Sequence, residues 1–220
     1  MTFVKIARSV SGKIPAELRI CPDQYVGTIS EFGHNCSASD FIRQPTACRP
    51  KELECLLLIL ESPHVQEFEG ELGPAKGNTG NLIRKWIADV VGCEYRSHGL
   101  ILINAIQHQC SLGLPTRCFR DEVFEIVWSR YGAKNFLERV DKIYQEGDVV
   151  MNCCTRGKQK TELRQLVQDV ILGTAISPEH RLRRTHPSSW FSEKKRQHIW
   201  QDEAFSSRKI DNRATRKPMA

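Results

Sequence analysis

The chain has 220 residues, of which 40% are hydrophobic and 26% are charged, and these values are typical of one soluble globular domain with a substantial core. No apolar run reaches the length expected of a signal peptide or of a membrane-spanning helix, which argues against the secreted and membrane classes. We therefore expect a cytoplasmic protein without a membrane partner.

The formal net charge of +6 is distributed unevenly along the chain. Residues 181–220 contain eleven Lys and Arg residues against four Asp and Glu residues, whereas residues 1–180 are close to neutral. A basic end of this kind is typical of a surface that faces a polyanion such as DNA, although a basic tail can also be merely solvated.

The predicted elements begin with an irregular segment. Residues 1–50 are rich in Pro, Cys and small polar residues, which predicts an N-terminal segment that wraps the edge of a sheet. Three aliphatic runs then predict buried parallel strands, namely ECLLLILE (54–61), GLILINAI (99–106) and GDVVMNCC (147–154).

Segments with helical periodicity lie between and after these strands. They are found at 81–91, at 120–145 with a break near Gly132, and at 161–172. Strands that alternate with helices indicate βαβ units, whose right-handed crossovers place helices on both faces of the sheet. We therefore predict an α/β fold, a single-domain three-layer α/β/α sandwich with a central, mainly parallel four-stranded sheet. The domain would cover 51–205, a basic flexible tail would follow at 206–220, and we expect a monomer.

Polar residues stand at the ends of the predicted strands, which is where ligands bind in open α/β sheets. The first strand runs into Glu61-Ser62-Pro63-His64, the second contains Asn104, and His186 follows much later in the chain. The first strand is also followed by the glycine-rich loop GELGPAKGNTGN (70–81), which is not a Walker A loop because no Gly-Lys-Ser/Thr follows at the required spacing. Its glycines allow close approach to a ligand, and we expect the helix after it to be capped at Thr79.

Four motifs, in this order, resemble the uracil-DNA glycosylase superfamily. Glu61-Ser62-Pro63 is similar to the strand end G-E-A-P-G of its iron–sulfur branch, and residues 74–80 are similar to the P-F-V-G-x-x-G motif that follows there. Leu102-Ile103-Asn104 is similar to the Asn-bearing aliphatic strand, and His186-Pro187-Ser188 is similar to the H-P-S motif, which precedes an apolar wedge residue. The resemblance spans about residues 54–191 and implies an enzyme that flips a base out of DNA and hydrolyses its N-glycosidic bond.

The resemblance also implies roles for individual residues. Glu61 would stabilise the sugar cation or activate water, and His186 would donate a hydrogen bond to the departing base. The base-binding residues would be Ser62, His64, Ala75 and Asn104. The DNA-binding residues would be Gly77, Thr79, Ser188, Trp190 as the wedge, Arg183, Arg184, Lys194 and Lys195.

The sequence departs from the family at three places that concern the substrate and the cofactor. Ala75 stands where the family has a Phe that stacks on the flipped base, and Ser62 stands where ordinary uracil enzymes have a catalytic Asp. The nine cysteines include no C-x-x-C pair, so they predict reduced apolar fillers rather than a metal site, and we expect no cofactor. The substrate would then be a base larger than uracil, such as a modified pyrimidine of phage DNA. The partner would be DNA, either double-stranded or single-stranded, and the enzyme would act in defence against phage.

Several alternatives remain open at this level. The chain could be an ordinary uracil repair enzyme, a DNA-binding module without activity, or a hydrolase that uses Ser62 or Ser188. Asn104 could satisfy backbone groups, His186 could cap a loop, and His64 could serve only packing. Trp190 could pack against a helix at 193–204 instead of entering DNA.

Overall fold

In the computed structural model, the described residues are 2–32, 41–113, 115, 118–158 and 162–200, so the tail expected at 206–220 lies outside them. A mixed six-stranded sheet organises the chain. The strands are β1 (Gln24–Thr28), β2 (Gln44–Pro45), β3 (Cys55–Leu60), β4 (Gly99–Asn104), β5 (Val149–Asn152) and β6 (Arg181–Arg183).

The strand order is β2-β1-β4-β3-β5-β6. The four strands β4, β3, β5 and β6 are mutually parallel, while β1 is antiparallel to both β4 and β2. The α/β class is thus confirmed. The predicted four-stranded sheet describes only the parallel part, because the two antiparallel strands are short and carry no aliphatic run that would indicate them.

Those two strands come from the N-terminal segment, which was expected to be an irregular wrap at 1–50. Its described part lies at the sheet edge, as expected, but contains regular elements. A helix, α1 (Phe3–Ser11), precedes β1. Phe3, Ile6 and Ala7 are buried at helical spacing against one face of the sheet. The segment therefore extends the sheet edge and covers part of one face.

The remaining helices are α2 (Asn78–Val91), α3 (Arg120–Val127), α4 (Ala133–Ile143), α5 (Leu163–Leu172) and the short α6 (Glu193–Arg196). The expected break near Gly132 is absent, because a π-helical turn over Trp128–Gly132 joins α3 to α4. Gly132 keeps helical dihedral angles, with φ of −61° and ψ of −44°.

Alternate residues of the central strand enter two separate apolar layers. Leu57 and Ile59 of β3 belong to a core cluster that includes residues of α1, α3, α4 and α5, whereas Leu56, Leu58 and Leu60 belong to a second cluster that includes residues of α2. Helices therefore cover both faces of the sheet. Within the described part of the chain, no helix combines the length and apolar character needed to cross a membrane.

The parallel pairing brings the strand ends together. Leu60 pairs with Asn104, Ile59 pairs with Asn152, and Asn152 pairs with Arg183. The polar segments that follow β3, β4, β5 and β6 therefore leave the sheet at one edge. This is the edge at which ligands bind in open α/β sheets.

Candidate active site

A cavity of about 330 Å³ lies at this edge. Six of the catalytic, base-binding and DNA-binding residues expected from the sequence line it, namely Glu61, Ser62, His64, Thr79, His186 and Ser188. They come from three segments that are far apart in sequence, and the fold has brought them to one place. Lys76, Asn78, Arg120, Thr155 and Glu67 also contribute to its walls.

Glu61 follows β3 directly, and its carboxylate is buried and fully engaged. The Ser62 hydroxyl donates to Oε1 at 2.9 Å, and the Thr155 hydroxyl donates to Oε2. Arg120 Nε lies 3.2 Å from Oε2. Burial raises the pKa of the Glu61 carboxyl, and Arg120, Thr155 and Ser62 oppose that rise. The site therefore contains a buried carboxyl group that is oriented by three donors.

Arg120 and Thr155 are not indicated by the sequence motifs. Thr155 lies three residues after the end of β5, so the tendency of ligands to bind beyond the carboxyl ends of parallel strands could have identified it. Arg120 begins α3, where the sequence resembles an ordinary helix start. It also pairs with Asp121 at 2.7 Å, so that one guanidinium is shared between two carboxylates.

His186 follows β6 and is half-buried at the cavity wall. The Ser188 backbone N–H donates to its Nδ1 at 3.2 Å, which places the remaining ring proton of a neutral imidazole on Nε2. Burial, with a smaller contribution from Arg120, lowers the pKa of His186 to about 4. The ring is thus neutral near pH 7 and can serve as a hydrogen-bond donor.

Asn104 ends β4 but does not line the cavity. It is buried, and its Nδ2 donates to Glu67 Oε2 at 3.0 Å, while its Oδ1 has no hydrogen-bond partner among the described residues. Arg139 fixes the strand end, because it donates to the carbonyl oxygens of Asn104 and Ala105 at 2.9 Å. Asn104 therefore contacts a cavity residue and does not face the cavity itself.

Glu67 is the cavity residue that Asn104 holds. It lies in a short 3₁₀ helix, Val65–Phe68, and it is only 4% exposed although it lines the cavity. Burial raises the pKa of Glu67 to about 7. Nothing in the sequence motifs indicates this residue, because it lies three positions beyond the strand-end motif in a segment of no predicted structure.

Helix α2 begins next to the cavity, at Asn78 rather than at the expected Thr79 cap. The N-cap position is Gly77, with φ of +69°, and no side chain caps the helix. Thr79 lies in the first turn and lines the cavity, whereas Gly77 does not. A Cβ at Gly80 would come within 1.9 Å of the Ala75 carbonyl oxygen, so this close approach of loop to helix requires glycine.

Ala75 is withdrawn from the cavity. It is 1% exposed and belongs to the apolar layer beneath α2. Its φ of +56° is uncommon for a residue with a side chain, and the same is true of Phe119 at +60°. These two residues directly precede the cavity residues Lys76 and Arg120, and backbone strain of this kind is concentrated at functional sites.

The structure does not place Trp190 where a wedge could act. Its indole is fully buried in the same layer as α2, and its Nε1–H donates to the Thr185 carbonyl oxygen at 2.9 Å. A ring held in this way enters a base stack only if the loop unfolds. The neighbouring Phe191 is 73% exposed and is the apolar side chain that protrudes from this loop.

The basic residues expected to bind DNA follow β6 and continue into α6. Lys194 and Lys195 are exposed. Arg184 donates from Nε to the Val90 carbonyl oxygen, and the Arg183 guanidinium lies over the Trp200 ring at 5.8 Å. The two arginines are thus partly committed to packing, whereas the two lysines face solvent beside Phe191.

The cysteines within the described part of the chain are free thiols, and several lie in apolar layers. Burial raises the pKa of the Cys55 thiol to about 11, so this group stays protonated. Among the described residues, no group of three or more His, Cys, Asp and Glu side chains is arranged to hold a metal ion.

We therefore expect the purified protein to be colourless and to keep its activity in a chelator. The measurements are the visible absorption spectrum and the rate of the reaction proposed below, before and after treatment with EDTA. A brown protein, or one whose activity EDTA abolishes and added metal restores, would contradict the interpretation of the cysteines as apolar fillers.

Comparisons with models of protein families, with curated proteins and with solved structures give no match to this chain. The site must therefore be interpreted from its own chemistry.

Proposed function

We propose that the protein is a DNA glycosylase, which flips a base out of DNA and hydrolyses its N-glycosidic bond to leave an abasic site. The observation that carries the proposal is the presence of a buried carboxyl, Glu61, and a neutral imidazole donor, His186, on one cavity. Breaking a glycosidic bond builds positive charge on the sugar and negative charge on the departing base. A carboxylate near the sugar and an N–H donor near the base stabilise these two charges.

The residues around the pair support these roles. Arg120, Thr155 and Ser62 orient the Glu61 carboxyl, which can then attract the sugar cation and accept a proton from the attacking water. The backbone of Ser188 fixes the tautomer of His186, so its Nε2–H is available to an oxygen of the base. Neither group has to reorganise when charge develops.

The same edge offers contacts for DNA. Phe191 is the exposed apolar residue that could fill the gap left by a flipped base, in place of the buried Trp190. Lys194 and Lys195 lie a few residues beyond it and suit phosphate contacts, which position the duplex without specifying sequence.

The cavity favours a base larger than uracil. No Phe, Tyr or Trp side chain of the described residues lines it, because Ala75 occupies the position of the family's stacking ring and is itself withdrawn. A second cavity of about 400 Å³ adjoins it and shares His64 and Ser111 with it. Lys13 and Gln109 line this second space together with apolar residues such as Ile14 and Leu112, so it offers room for a substituent on the base that has both apolar and polar parts. We therefore propose a 5-substituted pyrimidine of phage DNA as the substrate.

A hydrolase that uses Ser188 is the second candidate, because Ser188 Oγ lies 2.8 Å from His186 Nδ1. Two observations disfavour it. The pKa of about 4 makes His186 a weak base, and the charged group that influences it is the cation Arg120 rather than an orienting carboxylate. A Ser188→Ala variant that keeps full activity on DNA would separate the two candidates.

The proposal is tested by incubating end-labelled oligonucleotides with the protein and treating them with alkali, which cleaves the strand at an abasic site. Parallel substrates carry uracil, 5-hydroxymethylcytosine or its glycosylated form. Cleavage only with modified pyrimidines supports the proposed substrate, and efficient release of uracil alone would assign an ordinary repair enzyme. DNA binding without cleavage of any substrate would assign a binding module and overturn the proposal.

DNA affinity is expected to decrease steeply with salt, because contacts with phosphates release counterions. Replacing Lys194 and Lys195 with Gln should flatten the slope of log K against log salt by about one unit for each charge removed. Lys134→Gln is the matched control, since Lys134 is equally exposed but lies on α4 next to Glu138. Equal slopes for both variants, measured by fluorescence anisotropy, would show that the two lysines only solvate the surface.

A further inference from the structure

Two carboxyl groups border the cavity, and their surroundings differ. Glu61 lies 3.2 Å from an arginine and accepts hydrogen bonds from two hydroxyl groups. Glu67 Oε2 accepts from the Asn104 amide at 3.0 Å and from the Cys21 thiol at 3.7 Å, and backbone N–H groups also donate to the carboxyl. Among the described residues, no Lys or Arg forms an ion pair with it. Two carboxyls in such different surroundings can take different roles, one as a charge and the other as an acid.

The position of Glu67 relative to Asn104 is the central observation. In the resemblance to glycosylases, Asn104 would face the edge of the flipped base. In this structure the Asn104 amide instead donates a hydrogen bond to Glu67, and Glu67 lines the cavity. Glu67 thus connects Asn104 to the cavity.

We propose that Glu67 protonates the base as it leaves, with Asn104 as the residue that positions it, and that the substrate is therefore an aminopyrimidine of the cytosine type. This inference rests on the proposed glycosylase function and names the substrate class of the same site. Uracil can leave as an anion because two carbonyl groups share its charge. Cytosine has an amino group in place of one carbonyl and leaves readily only when its ring nitrogen N3 gains a proton.

The step balances as follows. The C1′–N1 bond breaks, and its electron pair passes to the base, while N3 takes the proton of the Glu67 carboxyl and the base departs neutral. Water forms the new bond to C1′ and gives its proton to Glu61. Glu61 then releases this proton to solvent, and solvent returns a proton to Glu67. The raised pKa of Glu67 near 7 supports this role, because an ordinary carboxyl would already be ionised at neutral pH.

The experiment compares two oligonucleotides that differ only at position 4 of one base, carrying 5-hydroxymethylcytosine or 5-hydroxymethyluracil. Glu67→Gln keeps the shape and a hydrogen-bonding amide but cannot transfer a proton. We expect it to slow release of the cytosine derivative by at least ~100-fold and release of the uracil derivative by less than about 10-fold. Glu69→Gln is the control, since Glu69 is exposed and stands two residues further along the chain.

The pH profile separates proton donation from a structural role. Single-turnover rates of the unmodified protein on the cytosine derivative should decrease above pH 7, with an apparent pKa near 7, and the Gln variant should lose this dependence. Equal losses on both substrates, or an unchanged pH profile in the Gln variant, would overturn the proposal.

If the protein cleaves no DNA, the proposed function is refuted. A binding measurement then still tests the assignment of Glu67. Free 5-hydroxymethylcytosine should bind more tightly at pH 6 than at pH 8 by at least about 5-fold, as followed by NMR titration, because only the protonated Glu67 donates to N3. In Glu67→Gln this ratio should be close to one. A pH-independent affinity in the unmodified protein would overturn the assignment of Glu67.

Discussion

Replacing Glu61 with Gln is expected to reduce the rate of base release by at least ~100-fold, since general acid–base and charge-stabilising groups contribute about 10²- to 10⁴-fold. Gln keeps the size of the side chain but removes the negative charge that would stabilise the sugar cation. The measurement is the single-turnover rate of abasic-site formation. The same variant also leaves Arg120 beside a neutral amide, so its folding must be checked by thermal unfolding.

Two controls distinguish chemistry from misfolding. Glu71→Gln removes a carboxylate from the loop before α2, where the side chain is exposed, and should leave the rate unchanged. Ser62→Ala removes one of the hydroxyl groups that orient Glu61 and should have an intermediate effect. A Glu61→Gln protein that folds normally and works at close to the normal rate would refute the mechanism.

Replacing His186 with Asn is expected to reduce the rate by about 10²- to 10³-fold, the magnitude found when one donor to a developing oxyanion is removed. Asn is preferred to Ala because its side-chain oxygen can still accept a hydrogen bond from the Ser188 N–H, as His186 Nδ1 does when it caps the short 3₁₀ helix at Pro187–Ser189. The variant thus removes the imidazole N–H toward the cavity and keeps the local turn. His198→Asn, at an exposed histidine, is the matched control.

The pKa of His186 gives this prediction a pH signature. Because the folded-state pKa is about 4, the ring stays neutral down to roughly pH 5, and the contribution of His186 to the rate should not decrease between pH 8 and pH 5. In the unfolded chain His titrates near 6.5, so the unfolded state binds more protons between the two values. The stability of the unmodified protein should therefore decrease relative to that of His186→Asn as the pH falls from about 6.5 toward 4. The comparison with the variant is needed because the raised pKa of Glu67 changes stability in the opposite direction over this range. A stability difference between the two proteins that stays constant through this range would mean that the fold does not keep the histidine neutral.

The central strands and most helices follow from patterns in the sequence. A run such as CLLLIL, with no alternation, is stable only when both faces of its strand are buried, and this predicted β3 and its parallel neighbours. Helical periodicity predicted α2 and α5 within a few residues. Ligands bind beyond the carboxyl ends of the strands in open α/β sheets, and these ends lie together in a parallel sheet. This rule pointed to Glu61 and His186 as site residues.

The N-terminal strands could not be predicted in the same way. β2 has two residues and β1 has five, so neither is long enough for a hydrophobic period to be detected. β1 pairs with the exposed backbone edge of β4, and β2 pairs in turn with β1, so both strands depend on tertiary pairing. The π-helical turn is another case, since Gly132 normally indicates a break and the packed core instead keeps the helix continuous.

The sequence by itself determined the α/β class, the central strands and the edge at which Glu61 and His186 meet, because these depend on hydrophobic period and chain order. The tertiary structure alone decided which side chains face the cavity. The Asn104 amide donates to Glu67 instead of facing the cavity. The side chains of Ala75 and Trp190 are buried, and both Arg120 and Thr155 contact the Glu61 carboxyl. Those outcomes depend on packing between segments up to 94 residues apart, as in the Thr155–Glu61 contact, and no local pattern encodes the orientation of one side chain relative to so distant a partner.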